Sequence, residues 1–301
     1  MKILVTGATG LVGKELVKHL RAKNHTVNYL TTSLSKIKNK SNYRGFYWNP
    51  ELGKIDENCL YEVDIIVHLA GANISKRWTN AYKQEIIESR TLSAELLYNL
   101  VRKTPNKVRQ FISASAIAIY PESHNEVYDE TVKETDNSFL STVVQKWEES
   151  ANRFQVLGVK VCKIRTGLVL SNEGGALPEM AKPIKMGFGA VFGNGKQVQS
   201  WIHIEDLVDM YVFAIEKQLE GTYNAVAPNP VTNKQLTKAI AQKLHKSLWL
   251  PNIPRFVMKL ILGEMSTLLF SSNNLSSGKI QDLGFQFQFP EIKEAMRNLY
   301  P

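Results

Sequence analysis

A chain of 301 residues is long enough for one large core with an appended lobe, or for two modest domains. Its 44% hydrophobic and 22% charged residues are ordinary for a globular protein and exclude a disordered, collagenous or coiled-coil chain. The net charge of +9 comes from lysines spread along the sequence, so it reads as solvated surface with some help for anionic ligands, and no nucleic-acid partner is expected.

Taken in order, Lys2-Ile-Leu-Val-Thr6 is a short β-branched run ended by glycine, the pattern of a buried parallel strand. Helical spacing follows over 11–22, with Leu11, Leu16, Val17 and Leu20 apolar, and a second strand is expected at about 26–31. Residues 64–70 read as another buried strand, 79–102 as a long helix, and 108–115 as the next strand. A helix over roughly 139–156 and a strand over 159–165 complete the alternation. Strand and helix alternating for about 165 residues imply an α/β fold, a Rossmann-like doubly wound parallel sheet.

Beyond Thr166 the pattern breaks. Residues 171–200 are rich in glycine and carry two prolines, as expected of a loop-rich substrate lobe. Helices are expected at 205–217 and 233–245 with a strand from Gly221 between them, and the tail from about 251 holds a very apolar helix, Phe256-Val-Met-Lys-Leu-Ile-Leu262. The expected division is a dinucleotide-binding domain over 1–165, to which strands around 201–228 return, a substrate lobe over 166–250 and a small C-terminal domain over 251–301.

No apolar run reaches the roughly 18–20 residues that span a bilayer. Met1-Lys2 leads straight into a strand without a signal-peptide core, so a cytoplasmic chain with no membrane partner is expected, as monomer or homodimer. Cys59 and Cys162 stand far apart and read as buried reduced thiols; the scattered histidines show no ligand spacing, and no metal is expected.

The chemistry begins at Thr6-Gly7-Ala8-Thr9-Gly10-Leu11-Val12-Gly13, between the first strand and the first helix. In this position a glycine pattern is a phosphate-binding turn. Gly7 allows the tight turn, Gly10 lets backbone approach a pyrophosphate, and Gly13 lets the helix pack closely on the strand. Free N–H groups at the helix start, Thr9 to Gly13 among them, provide the anion site. At the end of the second strand stands Thr31-Thr32-Ser33, with no acid until Glu51. A carboxylate there would hold the ribose 2′-hydroxyl of NAD and repel a 2′-phosphate, so its absence, with Lys36 and Lys38 close behind, favours NADP(H) over NAD(H).

This TGxxGxxG turn is joined by His68-Leu69-Ala70-Gly71, by Ser113-Ala114-Ser115 and by Trp201-Ile-His-Ile-Glu-Asp206. Together these resemble the extended short-chain dehydrogenase/reductase family, the group of sugar-nucleotide epimerases and dehydratases. Lys76-Arg-Trp-Thr79, Glu88-Ser-Arg90, Lys146-Trp-Glu148, Arg165-Thr-Gly-Leu-Val-Leu-Ser171, Gln199-Ser-Trp-Ile-His203 and Tyr223 to Pro230 resemble one atypical branch of it, the "epimerase family protein" group with a C-terminal domain of unknown function. The resemblance implies that Leu69, Ala70 and Gly71 lie along the cofactor ribose. It places Thr166, Gly167 and Leu168 near the nicotinamide, with Ser113 and Arg90 also on the cofactor side, and makes Ser115 the serine that hydrogen-bonds a substrate oxygen.

The same family normally moves a proton with Tyr-x-x-x-Lys. None of the eleven tyrosines here has a lysine four residues later, and Leu140 and Val144 occupy the aligned positions. Three readings stay open: another acid such as Tyr120, Lys83 or Arg90; a substrate needing little proton help, such as a quinone; or NADP(H) binding without turnover, as a sensor or regulatory protein. Gln199 stands where sugar-nucleotide epimerases carry a diphosphate-binding arginine, which counts against a nucleotide-sugar substrate. His203 and Asp206 read as structural. The expected function is an NADP(H)-binding oxidoreductase or epimerase-like enzyme acting on a small molecule, with Ser115 and Tyr120 as the catalytic candidates.

Overall fold

The structure is a computed structural model that describes residues 1–301. From the N-terminus run β1 (Lys2–Thr6), α1 (Leu11–Ala22), β2 (Thr26–Thr31), β3 (Asn39–Lys40), β4 (Tyr43–Asn49), β5 (Lys54–Ile55) and β6 (Ile65–His68). Next come α2 (Asn80–Lys103), β7 (Gln110–Ala116), α3 (Phe139–Asn152), β8 (Lys160–Thr166), β9 (Leu168–Leu170) and α4 (Ala176–Lys185). After them follow β10 (Val198–Gln199), β11 (Trp201–His203), α5 (Ile204–Glu216), β12 (Gly221–Ala225), β13 (Val231–Thr232) and α6 (Asn233–Lys243). The last residues form α7 (Arg255–Leu262), α8 (Thr267–Phe270), α9 (Gly278–Asp282) and α10 (Ile292–Leu299).

The main sheet has the order β12-β8-β7-β6-β1-β2-β4-β3, with β5 on the outer side of β4. All pairings from β12 to β4 are parallel; only the two-residue strands β3 and β5 run antiparallel. Strand order reverses between β1 and β6, the crevice where doubly wound sheets bind their ligands. Alternate residues of each strand feed two cores. Ile3 and Val5 join Leu16, Val17 and Leu20 of α1 and Val208 and Tyr211 of α5. On the opposite face Leu4, Ile66 and Phe111 pack against Leu97 and Val101 of α2 and Ala151 of α3. Burial on both faces is why these strands read as continuous apolar runs.

Several features differ from the sequence expectation. Residues 39–55, where no element was expected, supply β3 to β5. The glycine- and proline-rich stretch contains α4, because Leu177, Ala181 and Ile184 fall on one helical face and are buried. Of the later strands, β12 pairs with β8 in the main sheet, whereas β11 pairs with β9 in a separate small one. Residues after 250 are shared between cores: Ile280 and Phe285 join the first, while Ile292, Met296 and Leu299 of α10 pack with Leu236 and Ile240 of α6 and Ile184 of α4. No helix is long and apolar enough to cross a membrane.

Candidate cofactor groove and substrate cavity

The parallel strands bring the carboxyl ends of β2, β1, β6, β7 and β8 into one line in that order, so Thr31–Ser33, the glycine turn, Leu69–Gly71, Ser113–Ala116 and Thr166–Leu168 follow one another along a single edge. At the turn, Gly7 adopts φ +67°, and a Cβ there would stand 2.9 Å from the Leu69 carbonyl carbon. A Cβ on Gly13 would come within 2.1 Å of the Gly7 oxygen, so only glycine lets α1 sit this close to the turn. Gly10 donates its N–H to Gly7 O at 2.9 Å and starts α1 without a side-chain cap, leaving the first-turn N–H groups of Leu11, Val12 and Gly13 for an anion.

A buried chain of hydrogen bonds holds the next segment. Leu69 and Ala70 donate their N–H groups to Thr6 Oγ1, 3.1 Å each. Thr6 Oγ1 lies 2.9 Å from His68 Nδ1, and His68 Nε2 lies 3.1 Å from Ser93 Oγ, which donates to Ser89 O at 2.6 Å. With both Thr6 lone pairs taken, its hydroxyl donates to Nδ1, which assigns the ring proton to Nε2. Burial, aided by the Arg90 charge, pulls the His68 pKa down to about 4 and keeps the ring neutral.

Behind β2 the backbone is pinned by a tyrosine. Tyr29 Oη donates to Lys36 O and accepts from Lys38 N–H, 2.7 Å each, and its ring stacks on Tyr43 at 4.4 Å. The missing side chain of Gly45 makes room for that ring. Thr32 and the side chains of Lys36 and Lys38 are exposed, Ser33 is half-buried, and buried Thr31 accepts the Ser33 N–H at 3.2 Å.

Beside the ends of β7 and β8 lies a cavity of about 380 Å³, lined on one side by Trp78, Phe139, Leu140, Val144 and Trp147 and on the other by Glu264, Leu268 and Ser271. Leu140 and Val144 present hydrocarbon to it. Arg90 also lines it. The residue is 9% exposed; its guanidinium lies 4.8 Å over the Trp147 ring, donates to Ile86 O and Ala72 O, and leaves Nε without a partner. Gly71 permits this approach, since a Cβ there would lie 3.0 Å from Arg90 Cζ. No carboxylate pairs with Arg90, and burial pushes its pKa down to about 10, which leaves it protonated at neutral pH.

Ser115 and Tyr120 are brought together, but not as a pair of free hydroxyls. Ser115 is turned off the cavity wall and donates to Glu148 Oε1 at 2.7 Å. Arg165 donates to both oxygens of Glu148 and, through Nη1, to Tyr120 Oη at 2.8 Å. Tyr120 borders the cavity yet gives its own proton to Asn224 Oδ1 at 2.9 Å. Burial raises its pKa against the pull of Arg165. Among the other candidates, Lys83 is paired with Glu264, while Ser113 is buried with its hydroxyl on Ala114 O. Thr166, Gly167 and Leu168 line the cavity, and Gly167 is required where a Cβ would meet Ser200 O at 2.3 Å. His203 Nδ1 accepts the Glu205 N–H as the cap of α5, and Asp206 accepts Gln288 and Phe289 N–H groups, so both tie elements together away from the cavity. Cys59 and Cys162 are free and buried.

Sequence reasoning assigned no role to Thr6, His68, Glu148 or Arg165. The signal for them was a polar residue at an inward position of a strand or helix, where it needs partners.

The sequence model of the NAD dependent epimerase/dehydratase family matches residues 3–226. The chain belongs to that family. A second family, a domain of unknown function (DUF1731), matches residues 253–299. An epimerase family protein of Staphylococcus aureus (strain N315) is 36% identical over 301 residues, with 98% of each chain covered. Among solved structures, the human epimerase family protein SDR39U1 (isoform 2) with NADPH superposes with a TM-score of 0.87 at 28% identity, covering 100% of this chain and 99% of that one. A nucleoside-diphosphate sugar epimerase from Corynebacterium glutamicum has a TM-score of 0.80 at 30% identity, covering 100% of this chain and 58% of the other.

Proposed function

We propose that the chain binds NADP(H) along the carboxyl edge of the sheet and acts as an oxidoreductase on a small, largely apolar molecule in the cavity. The observation that carries the reading is the glycine cradle, closed at Gly7 and Gly13 to any side chain and continuous with the strand ends that lead to the cavity. The residues present fit the cofactor. Backbone at Gly7, Thr9, Gly10, Leu11, Val12 and Gly13 takes the pyrophosphate, and Thr31, Thr32 and Ser33 with Lys36 and Lys38 take a 2′-phosphate. Leu69, Ala70 and Gly71 follow the ribose, and Arg90, Ser113, Thr166, Gly167 and Leu168 surround the nicotinamide end. The human relative, held with NADPH, supports the phosphate preference.

When bound, the cofactor supplies a hydride at the cavity; the chain's own part is to orient and to exclude water. Leu140, Val144 and Trp147 do the latter. The hydroxyl protons of Ser115 and Tyr120 are directed to Glu148 and Asn224, so both serve as positioning groups, Tyr120 at the cavity and Ser115 behind it. That arrangement suits an acceptor needing no phenolic proton donor, such as a quinone, better than epimerisation, which needs a base at the carbinol. The same apolar wall favours a second reading, a sensor that binds NADP(H) without turnover.

Trp78 and Trp147 line the cavity, so tryptophan fluorescence is the direct assay. Titration should show tighter binding of NADPH than NADH. Equal or absent binding would end the NADP assignment. Oxidation of NADPH across quinones and carbonyls then separates the two readings, since a sensor turns over none of them.

A further inference from the structure

Six of the chain's thirteen exposed large hydrophobic residues fall in two short stretches: Met186 and Phe188 in one, and Trp249, Phe256, Leu260 and Ile261 in the other. The two stretches lie side by side. Trp249 donates its indole N–H to Gly187 O at 3.0 Å, Asn252 Nδ2 donates to Gly193 O, and Ile253 exchanges backbone bonds with Val191 and Gly193. Helix α7 begins two residues later and buries none of its eight residues.

The charge in these two stretches is basic, and the nearest acid to α7, Glu264, is paired with Lys83. Residues 180–204 contain Lys182, Lys185 and Lys196, and residues 240–263 contain Lys243, Lys246, Arg255 and Lys259; neither stretch contains an aspartate or glutamate. On α7 itself Arg255 and Lys259 stand one turn apart, and so do Phe256 and Leu260, so a cationic row runs beside an apolar row on the exposed side.

We propose that this face docks on an anionic lipid bilayer, with Phe256, Leu260 and Trp249 at the acyl boundary and Arg255 and Lys259 among the head groups. This departs from the expectation of no membrane partner and does not rest on the cofactor reading. A row of cations bordering a row of large apolar side chains is the composition of a helix that lies in the interface plane, where long basic side chains reach the phosphates while their stems stay with the hydrocarbon. A second copy of the chain would bring the same unpaired cations face to face. The helix rests on the fold through the half-buried Val257, Met258 and Leu262 and leaves Phe256, Leu260 and Ile261 outward, a shallow convex face that suits a fluid surface better than a shaped protein pocket.

The test is cosedimentation of the full chain with phosphatidylcholine vesicles, with and without phosphatidylglycerol. Binding is expected only to the anionic vesicles and weakens with salt. The paired substitution Phe256→Ser with Leu260→Ser should lower vesicle affinity about tenfold or more at unchanged thermal midpoint, because both side chains are already exposed in the folded chain. In the wild type, brominated anionic lipid should quench tryptophan emission, and Trp249→Phe should remove most of that quenching. Three outcomes overturn the proposal: no binding to anionic vesicles at low salt; binding that the serine substitutions leave unchanged, which marks a merely basic surface; or a dimer in solution that Leu260→Ser abolishes.

Discussion

Arg165 grips Glu148 with two parallel bonds, Nε to Oε1 at 2.8 Å and Nη2 to Oε2 at 2.9 Å. The same carboxylate accepts the Ser115 hydroxyl, while the same guanidinium donates to Tyr120. One ion pair therefore joins β7, α3 and β8 to the loop that floors the cavity.

Breaking the pair from one side should be costly. Arg165→Met leaves the buried Glu148 with the Ser115 hydroxyl and, as its one cation, Lys163 at 3.6 Å, and should lower stability by about 3–5 kcal/mol in urea unfolding. Replacing both partners, Arg165→Met with Glu148→Leu, should recover much of that loss, because no uncompensated charge remains. A double variant no more stable than the single one would show that the clamp is not what Arg165 contributes. The pH dependence has a definite sign. Burial pushes the Glu148 pKa up, but the Arg165 bonds and charge, with Ser115 and Lys163, outweigh it and leave a net lowering. Its contribution is therefore present above the ordinary carboxyl range and is lost as pH falls through the lowered value.

His68 sets a second acid limit with a different window. Its pKa is about 4 in the fold against 6.5 in an unfolded chain. Below 6.5 the unfolded state binds a proton that the folded state refuses, so this contribution is whole above that pH and shrinks as pH falls towards 4. His203, also lowered to about 4 by burial, adds in the same direction; Asp206, raised to about 6 by burial, acts in the opposite one. The comparison that isolates His68 is His68→Gln against wild type, each unfolded in urea at pH 7 and pH 5. The variant should lose less stability on acidification; equal losses would place the titration elsewhere.

Much of this architecture was legible before any coordinates. The turn at Gly7 to Gly13 could be read because three glycines at fixed spacing, between an apolar strand and an amphipathic helix, answer to one steric problem. What stayed hidden depends on partners distant in sequence. Ser115 looks like a free hydroxyl until Glu148, 33 residues later, is placed beside it. Strand β4 shows its aromatic composition plainly, but Gly45 breaks the run, and its reason is the Tyr29 ring on the neighbouring strand. In α4 the glycines before it and Pro183 within it obscured a buried face that only packing against α6 reveals.

The glycine turn itself gives a paired prediction. Gly13→Ala sets a methyl 2.1 Å from Gly7 O, and since both atoms are anchored by backbone, α1 must shift away from the turn. A stability loss of about 1–3 kcal/mol and loss of NADPH binding are expected. Gly53→Ala is the control. Unlike the helical Gly13 it has positive φ, +61°, but a Cβ there meets nothing within 4 Å, so it should cost about 1 kcal/mol and leave cofactor binding untouched. If both variants bind NADPH alike, the close approach at Gly13 is not what shapes the anion site.

The last prediction concerns the basic loop behind β2. Lys36 and Lys38 carry the charge, but Tyr29 holds their backbone through two 2.7 Å bonds from one buried hydroxyl. Lys36→Ala or Lys38→Ala should weaken NADPH binding by about tenfold, the worth of one charge-assisted bond to phosphate, and leave NADH binding unchanged. Tyr29→Phe keeps both lysines and the stacking on Tyr43 but frees the loop, so it should lower the preference for NADPH in the same direction and by a smaller factor. Added salt should narrow the difference between the two cofactors in the wild type and leave it unchanged once both lysines are gone. A variant without Lys36 and Lys38 that still prefers NADPH as strongly as wild type would move recognition of the 2′-phosphate to Thr32 and Ser33, whose hydroxyls can bind it but cannot impart that salt dependence.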